Sequence, residues 1–185
     1  EVEKKKFDNF EEYLSSLKLT VNIHEDKKDI IPRIAQLTQK TNQFNLTTKR
    51  YSEADIKNFM EDPNVQVYAF SVEDRFGSYG ITGLIITNLN EVKKECYIDT
   101  NLMSCRIIGR NLEGVFIDHV INRVKLQGYK SIRGEYVKTA KNKQVSNLYE
   151  EYGFRLAGER EDTKSYVLDL SSYKPKEIDY VEVRM

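Results

Sequence analysis

Three period-two runs follow one another almost without interruption: VQVYAFSVE at 65–73, YGITGLIITNL at 79–89 and KECYIDTNLM at 94–103. Alternation puts successive side chains on opposite faces, so each run predicts a half-buried strand. The connections around 74–78 and 88–91 are too short for a parallel crossover, which leaves an antiparallel meander. The period then changes. Leu112, Val115, Phe116, His119, Val120, Arg123 and Val124 follow the helical repeat, with Gly109 ahead of them and Gly128 closing the helix. The next strand, 130–137, is reached by a crossover through that helix, which makes 94–103 and 130–137 parallel neighbours. Such a chain is confined to α/β (α+β) folds with a mixed, mostly antiparallel sheet.

The remaining elements are read the same way. Asp8-Asn9-Phe10-Glu11 predicts a helix start in a capping-box variant, running to about Leu17, and Leu19, Val21 and Ile23 predict a strand. Asp29 is placed to cap a helix of about 30–41, with Pro32 in its first turn. Ser52 with Asp55 opens a second helix that Asp62-Pro63 closes. A helix of about 142–152 ends at Gly153, and strands at 154–159 and 165–170 complete the sheet. The sum is about six to seven strands and about four helices. Residues 1–18 read as an appendage from an upstream domain, 19–172 as one domain and 173–185 as a tail.

Composition removes several functions. With 29 Lys+Arg against 29 Asp+Glu the net charge is zero, so the basic footprint of a nucleic-acid binder is missing. No apolar run approaches the roughly 20 residues of a membrane-spanning helix, and the first residues carry no apolar leader core. Cys96 and Cys105, with His24 and His119, do not make a metal site or a disulfide scaffold. A cytoplasmic domain acting on small molecules or proteins is expected. His119 reads as a core or boundary histidine and Cys96 as structural.

Two segments carry the chemistry. Arg106-Ile107-Ile108-Gly109-Arg110-Asn111 lies between a strand and a helix. A glycine-bearing turn there presents free backbone N–H groups and a positive dipole end to a phosphate, with Arg106 and Arg110 to reinforce it. The second runs from Asn142 to Phe154, and its Tyr149 is either a core aromatic or a proton donor facing the cleft between the parallel strands. Cys105, beside Arg106 at the helix start, is either a small hydrophobe or an activated thiol able to carry an acyl group.

Together and in this order the two segments resemble the GNAT acyltransferase superfamily. Arg106-x-x-Gly109-x-Asn111 is similar to its acyl-CoA turn, Arg/Gln-x-x-Gly-x-Gly/Ala, with Asn111 at the last small position; Leu148-Tyr149 with Gly153-Phe154 resembles its Leu-Tyr-x-x-x-Gly-Phe helix. The resemblance implies a GNAT-like fold that binds CoA or a phosphopantetheine thioester through Arg106, Gly109, Arg110, Asn111 and Asn142, without a metal. It implies Tyr149 as general acid, Asp99 as a base, and an acceptor received at the 42–50 loop, where Asn42, Gln43, Asn45 and Thr47 offer hydrogen bonds; read from its residue type alone, Asp99 equally anchors a neighbouring loop by hydrogen bonds.

A narrower resemblance covers most of 30–110. The runs 33–51, Asp74-Arg75-Phe76-Gly77 and Ile98-Asp99-Thr100 with Ser104-Cys105-Arg106 look like the C-terminal part of FkbH-like proteins. In that family a HAD-like domain precedes a GNAT-like one, and a glyceryl unit is loaded onto an acyl carrier protein for methoxymalonyl-type polyketide extender units. The HAD signature Asp-x-Asp-x-Thr/Val does not occur, and the chain starts at Glu1 without Met. The resemblance thus implies an isolated C-terminal domain whose partners are the upstream HAD-like domain and an acyl carrier protein. Two alternatives stand beside glyceryl transfer: a degenerate GNAT domain that only docks the carrier or braces its neighbour, and an acetyl-CoA-dependent N-acetyltransferase.

Overall fold

A computed structural model describes residues 10–185. Eight strands form one sheet in the order β6-β7-β5-β4-β3-β2-β1-β8. They are β1 (Leu19–Glu25), β2 (Val65–Asp74), β3 (Gly77–Asn90), β4 (Glu95–Met103), β5 (Ser131–Val137), β6 (Arg155–Arg160), β7 (Thr163–Asp169) and β8 (Val181–Arg184). Five helices flank them: α1 (Phe10–Ser16), α2 (Ile31–Lys40), α3 (Glu53–Glu61), α4 (Leu112–Leu126) and α5 (Leu148–Glu151). The predicted meander is β2-β3-β4, antiparallel throughout, and the crossover through α4 makes β4 and β5 parallel.

Both faces of the sheet are packed. On one, Ile31, Ile34, Ala35 and Leu37 of α2 and Ile56 of α3 meet Val67, Ala69, Leu84, Ile86 and Leu102 of β2–β4. On the other, α4 buries Leu112, Phe116, Ile117, Val120 and Val124, and Phe116 stacks on Phe70 with centroids 4.2 Å apart. Ser52 and Asp55 complete the expected capping box: the Asp55 amide donates to Ser52 Oγ at 3.1 Å, and the Ser52 amide donates to Asp55 Oδ2 at 2.8 Å.

Several expectations change. Asp29 caps nothing. It lies in a 3-10 turn, Lys28–Ile30, that leads into α2 with Pro32 in the first turn and no side-chain cap bond. The helix expected over 142–152 is a 3-10 turn at Lys143–Val145 followed by the single turn of α5. The capping role read for Asp8 lies outside the described residues. Residues 10–18 do not stand apart: Leu14 and Leu17 are buried in the same core as α4. The tail supplies the eighth strand, β8, which pairs in parallel with β1 from Leu19↔Val181 to Asn22↔Arg184. Tyr173 and Tyr180 pack onto the core on the way. No helix among the described residues is long and apolar enough to cross a membrane.

Leu17 is thus a core residue of the sheet, and Leu17→Ala is expected to cost about 2–5 kcal/mol by loss of buried area plus the cavity left behind. Leu126→Ala, at a side chain 81% exposed, is expected to stay within about 0.5 kcal/mol. Urea unfolding of both variants checks the contrast. Equal midpoints would return 10–18 to the status of an appendage.

Candidate active site

The site is built on a divergence. β4 and β5 pair only from Glu95↔Ser131 to Ile98↔Gly134. At that level the β3–β4 register steps from Thr87↔Ile98 to Ile86↔Thr100, so Asp99 is an extra residue and β4 bends away. Beyond this point the two strands enclose a wedge whose backbone groups need other partners.

The chain itself supplies them. Residues 44–47, between α2 and α3, lie in the wedge: the Leu46 amide donates to Asn101 O at 3.1 Å, the Met103 amide to Phe44 O at 3.0 Å, and the Val137 amide to Leu46 O at 2.8 Å. Asn142 Nδ2 donates to both Asn45 O and Val137 O at 2.9 Å, and its Oδ1 accepts from the Thr139 amide and the Tyr136 hydroxyl. Asn142, expected to hold a pantetheine arm, is therefore fully buried and ties the inserted segment to β5. Asn45 and Thr47, expected to greet an acceptor, are buried as well. Asn45 Nδ2 donates to Thr41 O and Thr47 Oγ1 to Asp99 O. Asn42 accepts from Arg50, and only Gln43 of the four is exposed.

Asp99 does not face an acceptor as a free base. Its Oδ1 accepts from Lys49 Nζ at 2.8 Å, and its Oδ2 from the hydroxyls of Tyr51 at 2.7 Å and Thr100 at 2.9 Å. Both carboxylate oxygens are thus engaged, and through Lys49 and Tyr51 they hold 47–51 against the bulge. Burial opposes the charge on Lys49, but the hydrogen bond and charge of Asp99 outweigh it and keep the ammonium protonated above its usual range. Burial, then Asp99, pushes the Tyr51 phenol well above its usual value.

Tyr149 lies on the opposite wall. It is fully buried between Phe154 and Tyr166, at centroid distances of 4.9 and 5.7 Å. Its ring crosses β5 at Gly134, where a Cβ would come within 2.8 Å of Tyr149 Cζ; only glycine admits it. Asn101 is its polar neighbour, close enough to act on the phenol as a hydrogen-bonding group, yet neither the Tyr149 hydroxyl nor Asn101 Nδ2 reaches good hydrogen-bond geometry. Burial raises the phenol well above its ordinary pKa, so it remains a proton donor. Two adjacent buried polar atoms without partners, at the inner end of the wedge, are the feature of this wall that packing does not explain.

The turn after β4 has the geometry the sequence predicts. Gly109 adopts φ +88°, with open space where a Cβ would stand, and Asn111 is left-handed at φ 57°. Asn111 makes no side-chain cap bond, although the Glu113 amide in the first turn of α4 is engaged by its own carboxyl. Arg106 is exposed here. Arg110 turns away instead. It donates to Arg106 O at 2.8 Å and to the Tyr79 hydroxyl at 3.1 Å, and lies 3.8 Å from buried Asp74, so it is already neutralised. The sequence also missed Glu113, whose Oε2 is buried without a partner in the first turn of α4.

Burial raises the Glu113 pKa, against the opposing bond from its own amide. A carboxyl whose folded pKa lies above its unfolded one costs stability as pH rises through that interval, because the folded state binds the proton more tightly. Glu113→Gln is therefore expected to stabilise the protein at neutral pH, with the gain vanishing in acid. Thermal unfolding at pH 7 and at pH 4 reads the difference; no gain at pH 7 refutes the assignment.

One cavity of about 340 Å³ opens beside the turn, between α2 and the end of β4. Cys105 and Arg106 line one wall, Arg33 and Lys40 the other, with Phe44 and Met103 between them. Arg33 is placed by bonds from Nε to Ile81 O and from Nη1 to Gln36 Oε1. Its pKa is lowered first by burial and then by the charge of Arg106. Cys105 is exposed, whereas the Cys96 thiol is buried and pushed up to about 12. Arg33 and Lys40 escaped the sequence reading, although their spacing, with Leu37 between them, puts all three on one helical face. His119 meets Glu25 Oε1 at 3.1 Å, edge-on to Tyr68 and Phe70, at the core boundary. Among the described residues no group of His, Cys, Asp and Glu could hold a metal.

No family profile matches the sequence, and no curated protein does. Solved structures do. A mutant form of the spermidine/spermine N-acetyltransferase SpeG from Vibrio cholerae is 17% identical, with a TM-score of 0.63 over 83% of this chain and 95% of that one. A chimera of spermidine N-acetyltransferase SpeG from Vibrio cholerae is 16% identical, with a TM-score of 0.65 over 83% and 97%. The ribosomal-protein-S18-alanine N-acetyltransferase from Escherichia coli is 17% identical, with a TM-score of 0.62 over 85% and 99%. With the split between β4 and β5 and the glycine turn ahead of α4, these likenesses give the chain a GNAT-like fold.

Proposed function

We propose that the chain is an acyltransferase domain that takes a thioester of CoA or phosphopantetheine and passes its acyl group to an acceptor thiol or amine. The observation that carries this reading is the buried pair Tyr149 and Asn101, unpartnered at the inner end of the wedge. The turn suits the phosphate end of such a ligand, since Asn111 places no side-chain cap on α4 and Gly109 is open. The bound cofactor supplies an activated carbonyl and a thiolate leaving group. Tyr149, kept protonated by burial, protonates the departing sulfur, while Asn101 Nδ2 offers a hydrogen bond beside it. Residues 44–47 occupy the path of the arm, so the arm enters only as their bonds to Asn101, Met103 and Val137 open.

Within this class we infer a glyceryl-type acyl group and a carrier-protein thiol as acceptor, the reading that the FkbH-like stretches carry. The polyamines named for two of the neighbours suit the site less well, since Arg33, Lys40 and Arg106 would repel a polycation. The segment in the wedge favours a second reading, a domain that docks a carrier protein without chemistry.

Calorimetric titration with CoA and turnover of a glyceryl thioester with a holo carrier protein separate the two. Tyr149→Phe is expected to cut turnover about 10²–10⁴-fold while leaving CoA affinity within a factor of about two. Unchanged turnover removes Tyr149 from the mechanism. No CoA binding at millimolar ligand leaves the docking reading.

A further inference from the structure

Arg110 is held from two sides. Its guanidinium donates to Arg106 O at 2.8 Å and to the Tyr79 hydroxyl at 3.1 Å, beside Asp74, whose side chain is wholly buried. Its carbonyl belongs to the peptide that leads into Asn111, and it accepts from the Tyr180 hydroxyl at 3.3 Å. Tyr180 stands half-buried where the tail turns into β8. Burial raises its phenol, and the Asn111 side chain, a hydrogen-bonding neighbour, acts in the opposite sense. A residue 70 positions away in sequence therefore grips the turn that precedes α4.

The tail reaches this point without packing closely on α4. Tyr173 donates to Asp118 Oδ1 at 3.0 Å, and Lys176 Nζ lies 4.7 Å from the centre of the Tyr152 ring. Around these contacts the tail and α4 enclose a cavity of about 560 Å³, with Val115, Asp118 and Ile178 in its walls. β8 then pairs with β1 through four residues. An element held at so few points opens at low cost.

What Tyr180 holds matters because the turn is strained. Gly109 and Asn111 are both left-handed, at φ 88° and 57°. Asparagine tolerates this better than most residues, but such backbone persists only where its surroundings fix it. In a trans peptide the C=O and N–H point in opposite directions. Anchoring the Arg110 carbonyl to the tail therefore turns the Asn111 N–H the other way. Among the described residues that amide donates to no backbone carbonyl. Once released, the 110–111 peptide is free to flip, which returns Asn111 to negative φ and reverses its amide.

We propose that Tyr180 is a positioning residue for the cofactor turn: its bond to the Arg110 carbonyl holds the 110–111 peptide in the orientation that offers the Asn111 amide to the phosphate end of CoA or phosphopantetheine. Docking of the tail and binding of the cofactor are then linked. By reciprocity, a ligand that favours this orientation tightens the tail on the turn by the same factor. The inference rests on the acyl-transfer reading for the identity of the ligand, whereas the grip on the turn rests on geometry alone.

Calorimetric titration with CoA and hydrogen exchange read by mass spectrometry test the link. Tyr180→Phe is expected to weaken CoA binding about three- to tenfold, the worth of one hydrogen bond. Tyr173→Phe removes the bond to Asp118 elsewhere on the tail and is expected to stay within about twofold of the wild type. Circular dichroism checks that both variants are folded. CoA is expected to slow exchange over 178–184 in the wild type and to lose most of that effect in Tyr180→Phe; a ring that only packs the tail keeps it.

Equal CoA affinity in Tyr180→Phe and the wild type, or equal protection of the tail in both, overturns the proposal and leaves the acyl-transfer reading standing. If the wild type does not bind CoA, the acyl-transfer reading falls and takes the cofactor role with it. Exchange over 108–113 in the free protein then decides the grip alone: faster exchange in Tyr180→Phe than in Tyr173→Phe upholds it, and equal rates refute it.

Discussion

The structure depends on how β4 leaves β5. Four residue pairs hold the strands in parallel, then the extra residue at Asp99 turns β4 outward, and the backbone beyond it has lost its neighbour. Unpaired peptide groups inside a protein are costly, so something must fill the gap. Here it is a segment of the same chain, with Asn142 clasping it from below and Asp99 holding its far end through Lys49 and Tyr51. A polar-looking loop thereby becomes one of the most buried stretches of the molecule, because its backbone acts as a short strand and its side chains complete the bonding.

The two walls of the wedge differ in their chemistry. On the Asp99 side both carboxylate oxygens are matched by Lys49, Tyr51 and Thr100, and the cluster is a fastening. Where β4 and β5 part, the Tyr149 phenol from one side and the Asn101 amide from β4 meet under burial without completing a bond, a condition that native proteins seldom keep without a use. The same division appears at the turn: Arg110 is tied down against Tyr79 and Asp74, while Arg106 is exposed and Asn111 leaves α4 without a side-chain cap.

Much of the architecture was legible because it is local. The meander shows in period-two alternation, α4 in its helical stripe and Gly128, and α3 in the Ser52–Asp55 capping pair. What was not legible depends on partners distant in sequence. Asn45 and Thr47 looked like ligand contacts because their type suits a loop; their burial follows from strands more than fifty residues away. Asp99 stayed open between a base and a loop anchor because nothing in the meander announces Lys49 or Tyr51, the groups that make it an anchor. The short run at 181–184 carries too little pattern to declare a strand, and its partner is the first strand of the chain. Arg33 and Lys40 could have been found from their shared helical face, but only the fold shows that this face looks toward Arg106.

That last pairing has a consequence for the order of assembly. β8 joins β1 at nearly the full sequence separation the chain permits, and contacts so far apart carry the largest loop-closure entropy and form late. Until the tail has crossed α4 and set down Tyr173 and Tyr180, the outer edge of β1 is an open row of amides and carbonyls. An open edge of that kind is a template for another chain. Once docked, β8 presents its own edge with Glu182 and Arg184 bonded to each other, a charged border poorly suited to further pairing. The final strand therefore shields the β1 edge from such pairing as much as it completes the sheet.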